Sequence, residues 1–301
     1  MKVAISTSAF GSKSVLALNL LKDKSIEIIE NPYGRRLTEP EIIEHLKDVD
    51  GLLAGLEPLN RNVLSSASQL KAVARVGVGT ANVDFTAAAE LGIKVSNTPE
   101  GPTFAVAEMT LTALLSLLRN FPDINAKMHR GEWPKEVHQS LYGKTVLILG
   151  FGRIGAKVAE MISVFEANII VYDPLDVALP EYCTKVSFEA GLQMADVISI
   201  HTGGEAEIIG ETEFEQMKPG VYILNSARGN LINEQSLISN LENKRVAGVW
   251  LDAFWEEPYV GELIQNEAVL MTPHLSTYTE TCRETMELDA AKNLLRDLGI
   301  D

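Results

Sequence analysis

Gly150, Gly152 and Gly155 stand in a Gly-x-Gly-x-x-Gly spacing, behind the apolar run Val146–Leu149 and ahead of an amphipathic stretch that begins near Arg153. Such a spacing suits a pyrophosphate. Gly150 permits a tight turn, Gly152 lets a phosphate reach the backbone, and Gly155 lets a helix lie close to the strand. The free amides at the start of that helix then face the anion. A second apolar run, Ile169–Tyr172, ends on Asp173. A carboxylate there accepts hydrogen bonds from an adenosine ribose and repels a 2′-phosphate, and Pro174 after it supplies no compensating cation. A glycine-rich turn also occurs where nothing binds, but here strand, helix and acid agree. They predict a dinucleotide site that favours NAD over NADP.

Three later segments each carry one group suited to hydride-transfer chemistry on an oxo acid. Arg228, in Asn-Ser-Ala-Arg-Gly-Asn, offers a planar fork that matches a carboxylate. Gly229 after it is read as allowing a tight turn. Glu257 stands before Pro258 in a loop leaving an apolar run. Taken alone, Arg228 reads equally as a surface arginine and Glu257 as a solvated charge. His274 is the acid/base candidate, because proton exchange with a substrate hydroxyl near neutral pH calls for a group that titrates near 6.5. A carboxylate on its far nitrogen would fix the tautomer. His201, which also ends an apolar run, is the rival and is read rather as lining the cofactor. His45, His129 and His138 lie in helical or loop contexts.

These residues need a frame that brings the ends of many strands to one edge. Short apolar runs at Val3–Ile5, Ile26–Ile29, Gly51–Ala54, Ala72–Val76 and Ile93–Val95 alternate with helical patterns, one opened by the capping box Thr38-x-x-Glu41. After the glycines the alternation resumes at Val197–Ile200, Val221–Leu224, Val246–Leu251 and Val269–Met271. The spacing predicts an α/β protein of two doubly wound parallel-sheet domains. Each run after the glycines ends in polar residues, His201-Thr202, Asn225 to Arg228, Asp252 and Thr272 to His274, at the carboxyl edge where open parallel sheets bind ligands. A last helical pattern, roughly Glu280 to Leu298, is expected to return to the first domain.

With 301 residues the chain is long enough for two domains that each bury a core. A formal net charge of −15 argues against nucleic acid or an anionic membrane as partner. Cys183 and Cys282 stand far apart and form no metal-ligand spacing, so neither a metal nor a disulfide is expected. The N-terminus reads as a strand rather than a signal peptide, and a reduced cytoplasmic setting is the expectation. The apolar stretch Phe104–Leu118 is interrupted by Glu108 and is shorter than the ~20 residues of a membrane span. Leucines at 111, 114, 115, 117 and 118 cover most of its circumference. It is therefore expected to be buried on several sides, between domains or against a second subunit.

At this point the chain resembles the D-isomer-specific 2-hydroxyacid dehydrogenase family along nearly its whole length. The resemblance is carried by Arg75 to Asp84, Val106-Ala-Glu108, Gly131-Glu-Trp133, Tyr142 to Thr145, Gly150 to Gly155, Met217 to Gly220, Asn225 to Gly229, Leu251 to Phe254, Glu257-Pro258 and Thr272 to His274. It implies a Rossmann NAD-binding domain over residues 99–276, inserted in a flavodoxin-like substrate domain made of residues 1–98 and 277–301. It implies that Arg228 binds the substrate carboxylate and polarises the carbonyl, that His274 is the general acid/base, and that Glu257 supports the histidine. The backbone of Val78 and Gly79 would hold the substrate carboxylate. Arg153 and Ile154 would approach the pyrophosphate, and Asp252 with Ser226, Ala227 and Arg228 the nicotinamide side, beside His201 and Thr202. The implied partner is a small 2-hydroxy or 2-oxo acid, and the implied assembly is a homodimer to which the Phe104 helix contributes. Domain closure over the ligands is implied as well.

Four departures from the family pattern bear on the substrate. Gly55-Leu56-Glu57 stands where phosphoglycerate dehydrogenases often carry arginine and serine, and Pro102 where asparagine is common. Gly203-Gly204-Glu205 replaces a longer Pro-Leu-Thr segment, and Ser276-Thr277 replaces a glycine pair. The expectation is an intact reaction centre with an altered substrate pocket, and no feedback module after residue 301. The alternatives are a D-3-phosphoglycerate dehydrogenase, or an NAD-sensing binding protein that has no need of the Arg228, Glu257, His274 set.

Overall fold

The computed structural model describes residues 1–204 and 206–300. Glu205 of the Gly203-Gly204-Glu205 departure lies outside the described residues. Two compact units emerge, Met1–Pro102 with the segment from Thr277 onward, and Thr103–Ser276. The first border falls after Pro102 rather than after residue 98, because Gly101 packs on the C-terminal helix. A Cβ at Gly101 would stand 3.0 Å from Met286 Cγ and 3.1 Å from the Cys282 carbonyl.

In the first unit β1 (Lys2–Ile5), α1 (Leu16–Asp23), β2 (Glu27–Ile29), α2 (Glu39–His45), β3 (Gly51–Ala54), α3 (Arg61–Ser66), β4 (Ala72–Arg75), α4 (Phe85–Glu90) and β5 (Lys94–Asn97) alternate without a break. All strand pairs are parallel, in the order β2-β1-β3-β4-β5, the flavodoxin-like order. β3 and β4 are buried at every residue. Strands covered on both faces read as continuous apolar runs, which is why they were legible. Asn60 and Asp84 cap α3 and α4 by accepting from Val63 N at 3.0 Å and Ala87 N at 2.8 Å.

The helix α5 (Glu100–Arg119) leads into the second unit, followed by α6 (Phe121–His129), β6 (Thr145–Leu149), α7 (Arg153–Ser163), β7 (Asn168–Tyr172), β8 (Cys183–Lys185), α8 (Phe188–Met194), β9 (Val197–Ile200), α9 (Glu211–Gln216), β10 (Val221–Asn225), α10 (Glu234–Glu242), β11 (Val246–Leu251) and β12 (Val269–Met271). The closing helix α11 (Glu280–Leu298) belongs to the first unit, over β3, β4 and β5. The second sheet runs β12-β11-β10-β9-β6-β7-β8, all parallel. This is a Rossmann order with a seventh strand, and its direction of winding reverses between β6 and β9.

α5 is 20 residues long and, by length and composition, apolar enough to cross a membrane. The apolar run counted from Phe104 falls short of that length because the helix starts four residues earlier. Its Ala107, Leu114 and Leu118 are buried with Val146, Ile148 and Ile162 in one core of the second unit.

Candidate active site

The glycine turn sits where the second sheet reverses. Gly150 has φ +91°, a left-handed conformation that glycine adopts without strain. A Cβ there would also stand 2.7 Å from Thr202 N, so the ends of β6 and β9 touch only because residue 150 is glycine. A Cβ on Gly155 would reach within 2.1 Å of the Gly150 carbonyl, so its absence lets α7 start against the turn. Gly152 is different. It caps α7 with φ −76°, no side chain caps the helix, and an added Cβ would meet nothing within 4 Å. Open space therefore faces the amides that begin at Arg153 and Ile154, which fits a pyrophosphate.

Asp173 follows β7 on the same edge. Its Oδ2 accepts from Phe151 N at 2.7 Å and its Oδ1 from Leu175 N at 2.9 Å. These bonds lock the carboxylate beside the glycine turn. Each oxygen keeps further acceptor capacity for a ribose hydroxyl.

The three chemical candidates follow neighbouring strands, Arg228 after β10, Glu257 after β11 and His274 after β12. Buried Asn225 shapes the first of these loops, accepting from Ala227 N at 3.0 Å and donating to the Arg228 carbonyl at 2.8 Å. Ser226 and Ala227 stay half-buried, while the Arg228 side chain is exposed and folds its Nη1 onto the Ala227 carbonyl at 2.7 Å. Gly229 does not have the positive φ of a tight glycine turn. Its role is close approach: a Cβ would stand 2.1 Å from the Phe254 carbonyl carbon. The Arg228 loop is thereby pressed onto the loop that carries Glu257.

His274 Nδ1 lies 3.0 Å from both Glu257 Oε1 and Oε2. Glu257 Oε1 also accepts from Phe254 N at 3.2 Å. With Nδ1–H donated to the carboxylate, Nε2 is left facing outward, and it has no bond among the described residues. His274 has φ +50°. A left-handed non-glycine residue carries strain of order 1–3 kcal/mol and persists only where its surroundings over-determine it.

Asp252 supplies that constraint. It is buried, and its carboxylate accepts from Thr272 Oγ1 at 2.6 Å, Leu275 N at 3.0 Å and Ser276 N at 3.0 Å. Thr272 Oγ1 in turn accepts from Trp250 Nε1 at 3.0 Å. Both sides of His274 are thus tied to one buried acid, so Asp252 serves the histidine loop with both oxygens already engaged. Sequence reasoning missed this role and those of Asn225, Thr272 and Trp250. For Asp252, Asn225 and Thr272 a polar residue at or just after the end of an apolar strand was the only signal, and Trp250 inside β11 carried none.

His201 directly follows β9 and is half-buried, with Nε2 2.7 Å from Ser199 Oγ. Burial pushes its imidazole down to about 3, so it stays neutral near pH 7 and cannot deliver a proton there. Between the two strand-end histidines this leaves His274 as the acid/base candidate.

Val78 and Gly79 stand in the first unit, after β4. Their turn is held by Gly77 N donating to Thr98 Oγ1 at 2.7 Å and Asn97 Nδ2 donating to the Val78 carbonyl at 2.8 Å. Arg75 folds beneath it, its Nη1 donating to the Val76 carbonyl where a Cβ on Gly77 would clash. Among the described residues no group of three or more His, Cys, Asp or Glu side chains could hold a metal.

Residues 111–276 match the family model described as D-isomer specific 2-hydroxyacid dehydrogenase, NAD binding domain. A D-3-phosphoglycerate dehydrogenase of Methanocaldococcus jannaschii is 34% identical over 307 residues, covering 94% of this chain and 57% of that protein. The chain spans about half the length of the curated relatives it matches. Among solved structures, the TT0316 protein of Thermus thermophilus superposes with a TM-score of 0.92 at 30% identity, covering 100% of this chain and 98% of that one. A glyoxylate reductase from Paecilomyes thermophila gives 0.88 at 29%, covering 99% and 95%. The matched segment is the NAD-binding domain, which makes NAD the dinucleotide of the glycine turn. With two parallel sheets, the glycine turn and more than half its length under the family model, the chain belongs to the D-isomer-specific 2-hydroxyacid dehydrogenases.

Proposed function

We propose that this protein interconverts a small D-2-hydroxy acid and its 2-oxo acid by NAD-dependent hydride transfer. The observation that carries this reading is the Glu257–His274 pair, held at 3.0 Å at the same sheet edge as Arg228 and the glycine turn. Bound NAD supplies the hydride acceptor or, when reduced, the donor. Arg228, exposed and free to swing off the Ala227 carbonyl, pairs its fork with the substrate carboxylate and polarises the C2 carbonyl. His274 Nε2 gives a proton to the carbonyl oxygen in reduction and takes it back in oxidation. Glu257 holds the ring through Nδ1 and stabilises the imidazolium. In the first unit, the turn of Val78 and Gly79 is a candidate for holding a carboxylate through its backbone amides. The test is NADH oxidation across a panel of 2-oxo acids, where turnover of at least one member is expected and none would refute the reading.

Asp173 sets the choice of cofactor in this reading. Replacing it by serine removes the charge that repels a 2′-phosphate. The preference for NADH over NADPH in kcat/KM is expected to fall at least about tenfold, the scale of one close charge contact. An unchanged preference would remove Asp173 from this role.

Two further elements of the reading concern the setting. Phe121, Trp133, Val137 and Tyr142 are each at least 65% exposed along one segment of the second unit. A single globular chain rarely presents so much apolar surface, and a second copy of the chain is the partner that fits the segment. Sedimentation velocity is expected to show a dimer that Trp133→Glu with Val137→Asp converts to monomer, and a monomeric wild type would refute this. A cytoplasmic setting, with neither nucleic acid nor membrane as partner, is supported by the net charge of −15, the burial of the α5 core face and two free cysteines. Fractionation of the source cells tests it.

A further inference from the structure

The buried acid at the edge of the first sheet takes no part in the chemistry above. Glu57 is 1% exposed, at the carboxyl end of β3 where the order β2-β1-β3 reverses the winding. Ligands of open parallel sheets bind at such reversals. Its carboxylate accepts from the Ser6 hydroxyl, and from Gly55 N at 3.0 and 3.2 Å. Among the described residues no lysine, arginine or histidine forms an ion pair with it. Both partners donate to the carboxylate, as an acceptor-only group requires. Gly55 makes room for it, since a Cβ there would stand 3.0 Å from Glu57 Oε2 and 3.2 Å from Thr7 Cγ2. The Thr7 hydroxyl beside them is buried with no hydrogen-bond partner.

This cluster is tied to the turn assigned to the substrate carboxylate. Asn82 Nδ2 donates to the Gly55 carbonyl at 3.2 Å and the Glu57 carbonyl at 2.7 Å, and Val76 N donates to the Ala54 carbonyl at 2.9 Å. The Gly77–Gly79 turn, with the Arg75 cation beneath it, therefore lies alongside the Gly55–Glu57 loop. One end of the edge is cationic and rich in amides, and the other is anionic with a spare hydroxyl.

We propose that Glu57 determines substrate choice, so that this edge takes a 2-oxo acid whose distal group is uncharged and donates a hydrogen bond, and turns away a distal phosphate or carboxylate. The inference rests on the dehydrogenase reading and narrows it. An acid with its anionic carboxylate at the amide turn satisfies both ends when its far group is a hydroxyl. A second anion placed toward Glu57 meets like charge across a short, poorly screened distance.

The experiment compares hydroxypyruvate with 3-phosphohydroxypyruvate and oxaloacetate as substrates for NADH oxidation by the wild type, Glu57→Gln and Glu57→Asp. In the wild type kcat/KM for the hydroxyl-ended acid is expected to exceed that for either dianion at least about tenfold, carried mainly by KM. Glu57→Gln keeps the shape and removes the charge, and is expected to narrow that ratio about tenfold. Glu57→Asp, which retains the charge, is expected to keep it. A wild type that uses the phosphorylated acid as well as hydroxypyruvate overturns the proposal whatever the variants do. So does a folded Glu57→Gln, checked by thermal melting, with an unchanged ratio. Turnover without discrimination refutes this inference alone. No turnover with any acid while NADH still binds refutes the dehydrogenase reading and this inference with it.

Discussion

Replacing His274 by glutamine is expected to lower kcat for 2-oxo acid reduction by a hundred- to ten-thousandfold, the usual worth of a positioned general acid. Glutamine retains a hydrogen-bond donor toward Glu257 but has no titrating nitrogen for the substrate oxygen. NADH binding, measured by fluorescence titration, is expected to remain within a fewfold of wild type, because the glycine turn and Asp173 stand on β6 and β7 rather than β12. The same substitution at His201 is expected to cost far less, since that imidazole is neutral and bonded to Ser199. If His274→Gln keeps kcat within tenfold of wild type, the acid/base role belongs to another group.

The second large effect separates binding from folding. Gly152→Val is expected to leave the melting temperature within about 2 °C of wild type, because its φ of −76° suits any residue and an added Cβ meets no atom within 4 Å. The added methyls occupy the space left for the pyrophosphate, so NADH affinity is expected to fall at least about a hundredfold, or ~2.7 kcal/mol. Gly155→Ala gives the contrast. Its methyl would stand 2.1 Å from the Gly150 carbonyl, and overpacking against backbone is expected to cost about 1–3 kcal/mol of stability. Calorimetry with and without NADH distinguishes the two. A Gly152→Val protein that still binds NADH tightly would move the cofactor away from this turn.

What the sequence made legible was what burial and backbone geometry write into residue type. β9 and β11 were read with their observed limits because central parallel strands are covered on both faces and read as nearly continuous apolar runs. β8, Cys-Thr-Lys at the sheet edge, escaped because a short, half-exposed edge strand carries no such pattern. The glycines at 150 and 155 were legible because the fold leaves no room for a side chain there, and Gly152 because its spacing from them marks the space kept open for a phosphate. Gly229 was read as a turn residue and does open a short 3-10 turn, but its close approach to Phe254 depends on a neighbour far along the chain. Asp252 shows the same limit. Its identity marked a sheet edge, but only three-dimensional contacts reveal that it holds the His274 loop. His274 was preferred to His201 on position alone, and the enclosure that keeps the His201 imidazole neutral is visible only in three dimensions.

The central claim is that Arg228, Glu257 and His274 act together on C2 of a 2-oxo acid beside NAD. Single-turnover reduction of hydroxypyruvate with NADH carrying deuterium at both C4 positions tests it most directly, with the product examined by mass spectrometry and chiral chromatography. The account expects one deuterium at C2 of a D-configured hydroxy acid, formed by the wild type and strongly slowed in Arg228→Ala and His274→Gln. A product without deuterium, or transfer undiminished when Arg228 and His274 are both replaced, would contradict it.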